Sequence, residues 1–434
     1  MRVGNGRDRS LLLMNQKEEQ KQMALIVQKY GGTSVANVDR IKNVAERVVA
    51  RKRKGDKLVV VVSALAGTTD QLLKMANSIS DRPSGREMDM LLATGEQASV
   101  ALLAMAIHAL GEKAISFTGP QVGIITDESH TKARIIDIGT SRIEKALKEN
   151  NVVIVAGFQG GTVSGEITTL GRGGSDLTAV ALAKAVNAEL CEIYTDVEGI
   201  YTADPRIVPD AQKLDVISYD EILELASLGA KVMQSRSIEV GKKFNVPILV
   251  RSSLNNAQGT LITKENKKME EVVVSGVALH EGEAKVTIFK VPDRPGTAAK
   301  IFKIIAEAGI NVDMIIQNKT ETNATDISFT VYKNELRRAI DAVEKAACEV
   351  GAKNVTCDEN IAKVSIVGVG MKSHTGVAAK MFDVLAKNKI NIDMISTSEI
   401  KISCVVEGDK GKDAMRVMHE AFGLGQGPKK RKKK

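Results

Sequence analysis

The chain has 434 residues, 43% of them apolar and 26% charged, with eight Phe, five Tyr and no Trp. That length exceeds what one hydrophobic core usually supports, so two or three domains are expected. So few aromatics exclude a stacking platform for single-stranded nucleic acid. The formal charge of +8 lies in the tails: residues 1–22 carry five basic and three acidic groups, and Lys429 to Lys434 are six basic ones. The remainder is neutral, which excludes a basic folded surface and leaves an RNA-binding tail resting on six residues.

Cys191, Cys348, Cys357 and Cys404 form no CxxC pair and share no ligand spacing with histidine, so reduced structural thiols in a cytoplasmic protein are expected. The apolar stretch Leu11 to Met14 is too short for a signal-peptide core, and no apolar run is read as a membrane span. Residues 1–22 read as a disordered extension and 425–434 as a basic disordered tail.

In chain order, a strand is expected at Leu25 to Val27, a helix at Val38 to Arg53, a strand at Leu58 to Val62 and a helix at Gln71 to Ile79. Further strands are expected at Ala114 to Phe117, Val152 to Ala156, Leu190 to Tyr194 and Pro247 to Val250. Short β-branched runs alternating with amphipathic stretches predict an α/β domain whose mostly parallel sheet has helices on both faces. Ligands of such sheets sit at the carboxyl ends of strands, which directs attention to the loops after Gln28, Val62, Ala156 and Tyr194.

Past about residue 270 the chain repeats itself. Gly296, Ala298-Ala299-Lys300, Phe302, Ile310-Asn311 and Asp313-Met314-Ile315 return as Gly376, Ala378-Ala379-Lys380, Phe382, Ile390-Asn391 and Asp393-Met394-Ile395, each displaced by 80 residues. A constant offset across a helix and the strand after it predicts two homologous ferredoxin-like βαββαβ modules, α+β in class. They read as sensors or as a structural dimerisation device.

Neither GxxxxGK[ST] nor GxGxxG occurs, so a phosphate site must use another loop. Lys29-Tyr30-Gly31-Gly32-Thr33-Ser34 offers backbone N–H groups without an intervening Cβ, plus a cation, although a Gly-Gly turn can equally just reverse the chain. Thr168-Thr169-Leu170-Gly171-Arg172-Gly173-Gly174-Ser175-Asp176 opens an Ala-rich helix that Ser175 or Asp176 can cap. Three glycines around an arginine that can fork onto a carboxylate exceed what a capped helix needs. Tyr194 to Arg206 is polar and turn-rich, fit to wrap a nucleotide or to be a surface loop.

Together, in this order and ahead of two repeated modules, these loops closely resemble those of the aspartokinases of the amino-acid kinase family, from Met23 to about Val406. The resemblance implies an ATP-dependent phosphotransferase with a carboxylate acceptor. It implies that Lys29, Arg172 and Asp176 are catalytic, and that Ser63, Thr69, Glu96, Arg172, Gly173, Gly174 and Ser175 bind L-aspartate. Lys29, Tyr30, Gly31, Gly32, Thr195, Asp196, Tyr201, Thr202, Ala203, Asp204, Pro205, Arg206 and Lys231 would bind ATP, with Mg²⁺ held through the nucleotide and no protein metal site.

The modules would be ACT domains binding L-lysine and/or L-threonine as allosteric effectors through Asp293, Gly296, Asn311, Asp313, Gln317, Val377, Ala378, Asn391, Asp393, Ser398 and Glu399. The implied reaction is ATP with L-aspartate to 4-phospho-L-aspartate, the first step of lysine, threonine and methionine biosynthesis. The expected divisions are 23–265 for the kinase domain, 270–355 for the first module, with strand exchange between modules left open, and 356–424 for the second. A homodimer through the modules is expected, with a heterotetramer containing a separate C-terminal subunit as the alternative. Rival readings are a kinase of the same fold with a glutamate-type acceptor and a non-catalytic amino-acid sensor.

Overall fold

The computed structural model describes residues 24–228, 233–265, 269, 272–319 and 324–425. The expectations for 1–22, Lys231 and the basic tail beyond 425 lie outside them. The chain forms two compact units, the first from residues up to 198 with 236–263 and the second from 199–235 with 264 onward.

The first unit runs β1 (Leu25–Tyr30), α1 (Val38–Lys52), β2 (Lys57–Val62), α2 (Thr68–Ile79), α3 (Gly85–Ala109), β3 (Ala114–Phe117), β4 (Ile124–Thr126), β5 (Ile135–Ile138), α4 (Ser141–Lys148), β6 (Val152–Ala156), β7 (Gln159–Gly161), β8 (Ile167–Thr169), α5 (Gly174–Ala185) and β9 (Leu190–Thr195). After β10 (Val216–Ser218) and α6 (Tyr219–Ser227), which belong to the second unit, it resumes with α7 (Ser235–Phe244), β11 (Ile248–Ser252) and β12 (Thr260–Thr263). Its main-sheet strands lie in the order β12-β11-β9-β1-β2-β6-β3. All their pairings are parallel except β11 with β12. β2 is a nearly continuous apolar run because both sheet faces are covered, and β1 is apolar except at Gln28 and Lys29. A smaller sheet, β5-β4-β7-β8, stands beside it; its short strands gave no periodicity to read.

α3 departs from the expectation that no run matches a membrane span: by length and apolar composition it does. It packs instead against α1, α2 and strands β2, β3, β6 and β8, and it buries two acidic residues, Asp89 and Glu96. A span centre would bear such charges only at a cost of several kcal/mol, roughly 3 each.

The second unit continues with β13 (Gly276–His280), β14 (Glu283–Pro292), α8 (Thr297–Glu307), β15 (Val312–Lys319), β16 (Ala324–Tyr332), α9 (Leu336–Val350), β17 (Asn354–Asp358), β18 (Ile361–Val367), α10 (Val377–Lys387), β19 (Met394–Thr397), β20 (Lys401–Glu407) and α11 (Gly411–Ala421). Two four-stranded sheets result, β15-β16-β14-β17 and β13-β18-β20-β19. The fourth strand of the second sheet, β13, precedes the first module in the chain, and it pairs antiparallel with β18. Met314 and Met394, equivalent across the repeat, meet with Ile361 and Val405 in one buried cluster that joins the sheets. Ala203, Val208 and Ala211 share a core with Val277, Val364 and Met381, which ties the 199–235 segment to the second module. Cys191 and Cys404 are buried, whereas Cys348 and Cys357 are exposed, so only the first pair fits a purely structural thiol.

Candidate active site

The carboxyl ends of β1, β2 and β6 and the start of α5 surround a cavity of about 650 Å³. Of the expected acceptor and catalytic residues, Lys29, Ser63, Thr69, Glu96, Arg172, Gly173, Gly174, Ser175 and Asp176 all line it, with Gly32 from the phosphate-loop candidate.

Lys29 sits in the central strand, in register with Val61 of β2 and Ile193 of β9. Its Nζ lies 2.6 Å from Asp176 Oδ1, and both side chains are largely buried. Asp176 therefore holds Lys29 in place, and its position is not that of a helix cap. The N-cap of α5 is Gly173, at φ 71°, with no side-chain cap, so Ser175 and Asp176 fall inside the first turn. The left-handed turn at Gly173 admits glycine at no steric cost. No side chain caps the helix: the Gly174 N–H donates to the Gly171 carbonyl and the Asp176 N–H to the Gly173 carbonyl, and the positive end of the helix dipole lies beside the cavity lining, where it favours an anion. Arg172 in this turn is exposed and has no ion-pair or hydrogen-bond partner among the described residues.

Glu96 is 4% exposed on α3, not the solvated residue that a lone helical glutamate would suggest. Its Oε1 accepts the Ala64 N–H at 3.1 Å and so fixes the loop after β2. Its Oε2 has no hydrogen-bond partner among the described residues. Burial pushes its pKa up to about 7, against a smaller pull from the Ala64 N–H. α3 can come this close because residue 95 is glycine: a Cβ there would lie 2.8 Å from the Ala64 Cβ.

Asp89, which sequence reasoning missed, lies two turns before Glu96 and is fully buried. The Thr131 N–H donates to both of its oxygens, at 3.1 and 3.0 Å, the Thr169 hydroxyl donates at 2.5 Å, and His130 Nδ1 lies at 2.8 Å. Thr131 has φ 67°, a strained conformation for a β-branched residue, and Asp89 holds it there. Thr131, Lys132 and Thr169 line the cavity. The available signal was an aspartate seven residues, two helical turns, before Glu96 on the same helix.

The expected nucleotide residues divide between the units. Thr195 ends β9 and Asp196 follows it, with the Thr195 hydroxyl donating to Asp196 at 3.0 Å. Tyr30 is buried at the end of β1, and the Gly31 N–H donates to the Tyr194 carbonyl. Tyr201 through Arg206 belong to the second unit. There Thr202 and Ala203 are buried, Pro205 is exposed, and Arg206 forks onto Asp204 at 3.0 and 2.6 Å. Hydrogen bonds from Arg206 hold the Asp204 carboxyl below its usual range.

In the modules, Gly296 and Gly376 are the left-handed N-caps of α8 and α10. Asp293, Asn311, Asp313, Gln317, Asn391, Asp393, Ser398 and Glu399 are exposed, Ala378 is half-buried and Val377 is buried.

The sequence signature of the amino acid kinase family matches residues 24–252, and that of the ACT domain matches 290–347 and 364–422. An aspartate kinase of Pseudomonas putida is 54% identical over 403 residues, 93% of this chain and 98% of the relative. An aspartokinase of Corynebacterium glutamicum is 52% identical over 408 residues, 93% of this chain and 97% of the relative. Among solved structures, E. coli aspartokinase III in complex with aspartate and ADP superposes with a TM-score of 0.74 at 26% identity, covering 92% of this chain and 99% of that one. The same E. coli enzyme in complex with lysine and aspartate gives 0.73 at 26% identity, over 92% and 99%. The fold is thus an amino-acid kinase sheet followed by ACT modules, and the chain is an ATP-dependent phosphotransferase with a carboxylate acceptor. The chain belongs to the amino acid kinase family, among the aspartokinases that carry C-terminal ACT domains.

Proposed function

We propose that the chain transfers the γ-phosphoryl group of ATP to the β-carboxylate of L-aspartate, opening lysine, threonine and methionine biosynthesis, and that L-lysine and/or L-threonine inhibit it through the ACT modules. The observation that carries this reading is the convergence of Glu96, Arg172 and the Lys29–Asp176 pair on one cavity. A small dicarboxylic amino acid presents one ammonium and two carboxylates. The free Oε2 of Glu96 suits the ammonium, and Arg172 with the first turn of α5 suits a carboxylate.

The β-carboxylate is already ionised at pH 7, so the attacking oxygen needs no general base. What the reaction needs is two anions held in line and charge neutralised on the transferring group. In this reading Lys29 supplies a cation there, Asp176 keeps its ammonium aimed, and the Gly31-Gly32 turn, whose Gly31 N–H is given to the Tyr194 carbonyl, offers the Gly32 N–H to a phosphate oxygen. ATP brings a divalent cation, Mg²⁺, held chiefly by its own phosphate oxygens. Thr195, Asp196 and Tyr201 to Arg206 are assigned to the nucleotide, and Asp293, Asp313, Asp393 and their neighbours to the effector. Pairing of modules between two subunits would give the homodimer.

Steady-state kinetics test the roles. Lys29→Ala is expected to lower kcat by a factor of 10² or more, as loss of a charge-stabilising group does. Glu96→Ala is expected mainly to raise KM for aspartate. A Lys29→Ala enzyme with near-normal kcat contradicts the assignment of Lys29. Turnover unchanged by millimolar lysine plus threonine contradicts the feedback reading.

A further inference from the structure

The two modules are tied by a pair of crossed lysines that the repeat makes equivalent. Ala284-Lys285-Val286-Thr287-Ile288 in β14 returns as Ala362-Lys363-Val364-Ser365-Ile366 in β18, displaced by 78 residues, while Asp313 returns as Asp393, displaced by 80. Lys285 pairs with Asp393 and Lys363 pairs with Asp313. Each module's strand thus reaches the aspartate that follows the helix of the other.

The halves are not equal. Lys363 is 2% exposed and shares Glu283, at 2.5 Å, as well as Asp313. The equivalent of Glu283 in the other half is Ile361, so among the described residues Lys285 pairs with Asp393 alone, and the pair stays in contact with water, at 22% and 41% exposure. Burial pushes the Glu283 carboxyl up, but His280 and Lys363 outweigh it and hold its pKa down at about 2. Lys363 is therefore held by two carboxylates, the buried Glu283 and the exposed Asp313, whereas Lys285 can swing off Asp393 into solvent by breaking a single, partly exposed ion pair.

We propose that Lys285 is an intramolecular competitor for the ammonium group of an amino-acid effector at Asp393. This rests on the reading above that Asp393 is an effector position. An incoming α-ammonium and the Lys285 ε-ammonium are the same chemical group, and Asp393 cannot serve both at full strength. The fixed Lys363–Asp313–Glu283 cluster carries no such release. Lys285 thereby sets how much free amino acid is needed before the modules respond, since binding is weakened by the fraction of protein in which the carboxylate is already taken.

Titration calorimetry of the full chain with L-lysine and with L-threonine tests this, alongside inhibition of turnover. Lys285→Met and Lys285→Gln are each expected to bind the effective amino acid about three to five times more tightly and to be half-inhibited at a correspondingly lower concentration, with kcat unchanged when no effector is present. Lys285→Arg keeps the tie and is expected to behave as the parent. Asp393→Asn added to Lys285→Met is expected to abolish the gain. Equal or weaker binding by both neutral variants, when the parent binds normally, overturns the competition. If the parent binds neither amino acid, the effector reading itself falls, and the competition with it.

Discussion

Glu96 shows how one buried carboxylate can serve structure and recognition together. One oxygen fixes the loop after β2 and the other faces the cavity without a partner. Its folded pKa, about 7, exceeds that of an ordinary glutamate, near 4.3. The folded state therefore keeps a proton between these values that the unfolded state has lost, so stability falls as pH rises through that window. The full decline is roughly 4 kcal/mol at 1.36 kcal/mol per pKa unit. Glu96→Gln does not titrate, so its stability relative to the parent is expected to rise from pH 4.5 to 7 and then level off, as read by urea denaturation across pH. The same variant is expected to lose the fall in kcat/KM for aspartate that the parent shows below pH 7, where the carboxylate is neutral. A parent and variant with parallel stability profiles would contradict the buried titration.

At the scale of elements, α3 organises the acceptor side of the cavity. Its periodicity is faint because its exposed side carries Met90, Ala98, Leu102 and Met105 as well, so the apolar-polar contrast that makes α1 legible is missing. The Asp89 tie is a tertiary feature: residues 130, 131 and 169 lie 41 to 80 positions away, and nothing local announces them. Asp89→Asn replaces an acceptor of three donors by an amide and leaves buried N–H and O–H groups competing with N–H. A loss of about 2–4 kcal/mol is expected, together with a higher KM for the acceptor as Thr131 and Lys132 shift. Thr169→Val removes one hydroxyl donor and is expected to cost about 1 kcal/mol. Comparable small effects from both would show that Asp89 does not organise the loop. The glycine-rich turn before α5 was legible in outline, since three glycines around Arg172 marked a backbone that must approach something. Which residue capped the helix was not, because Gly173 at φ 71° does so through conformation, without a side chain.

For the whole molecule, the buried parallel strands and the 80-residue repeat were readable because burial on both faces and duplication leave marks in the sequence. The grouping of 199–235 with the modules was not, since the partners of Ala203 and Val208 lie between residues 274 and 418. Nor was the crossed lysine pair, whose 78-residue offset differs from that of the helices. The kinase cavity gathers its groups from six separated stretches, between Lys29 and Asp176, and their chemistry fits an acceptor bearing one ammonium and two carboxylates. The most direct test is ATP turnover by the full chain with L-aspartate, L-glutamate or UMP, with the acyl phosphate product trapped by hydroxylamine. Hydroxamate and ADP formed in equal amounts with aspartate, and little of either with glutamate or UMP, is the predicted result. Turnover that prefers glutamate or UMP, or ADP release without hydroxamate, would contradict it.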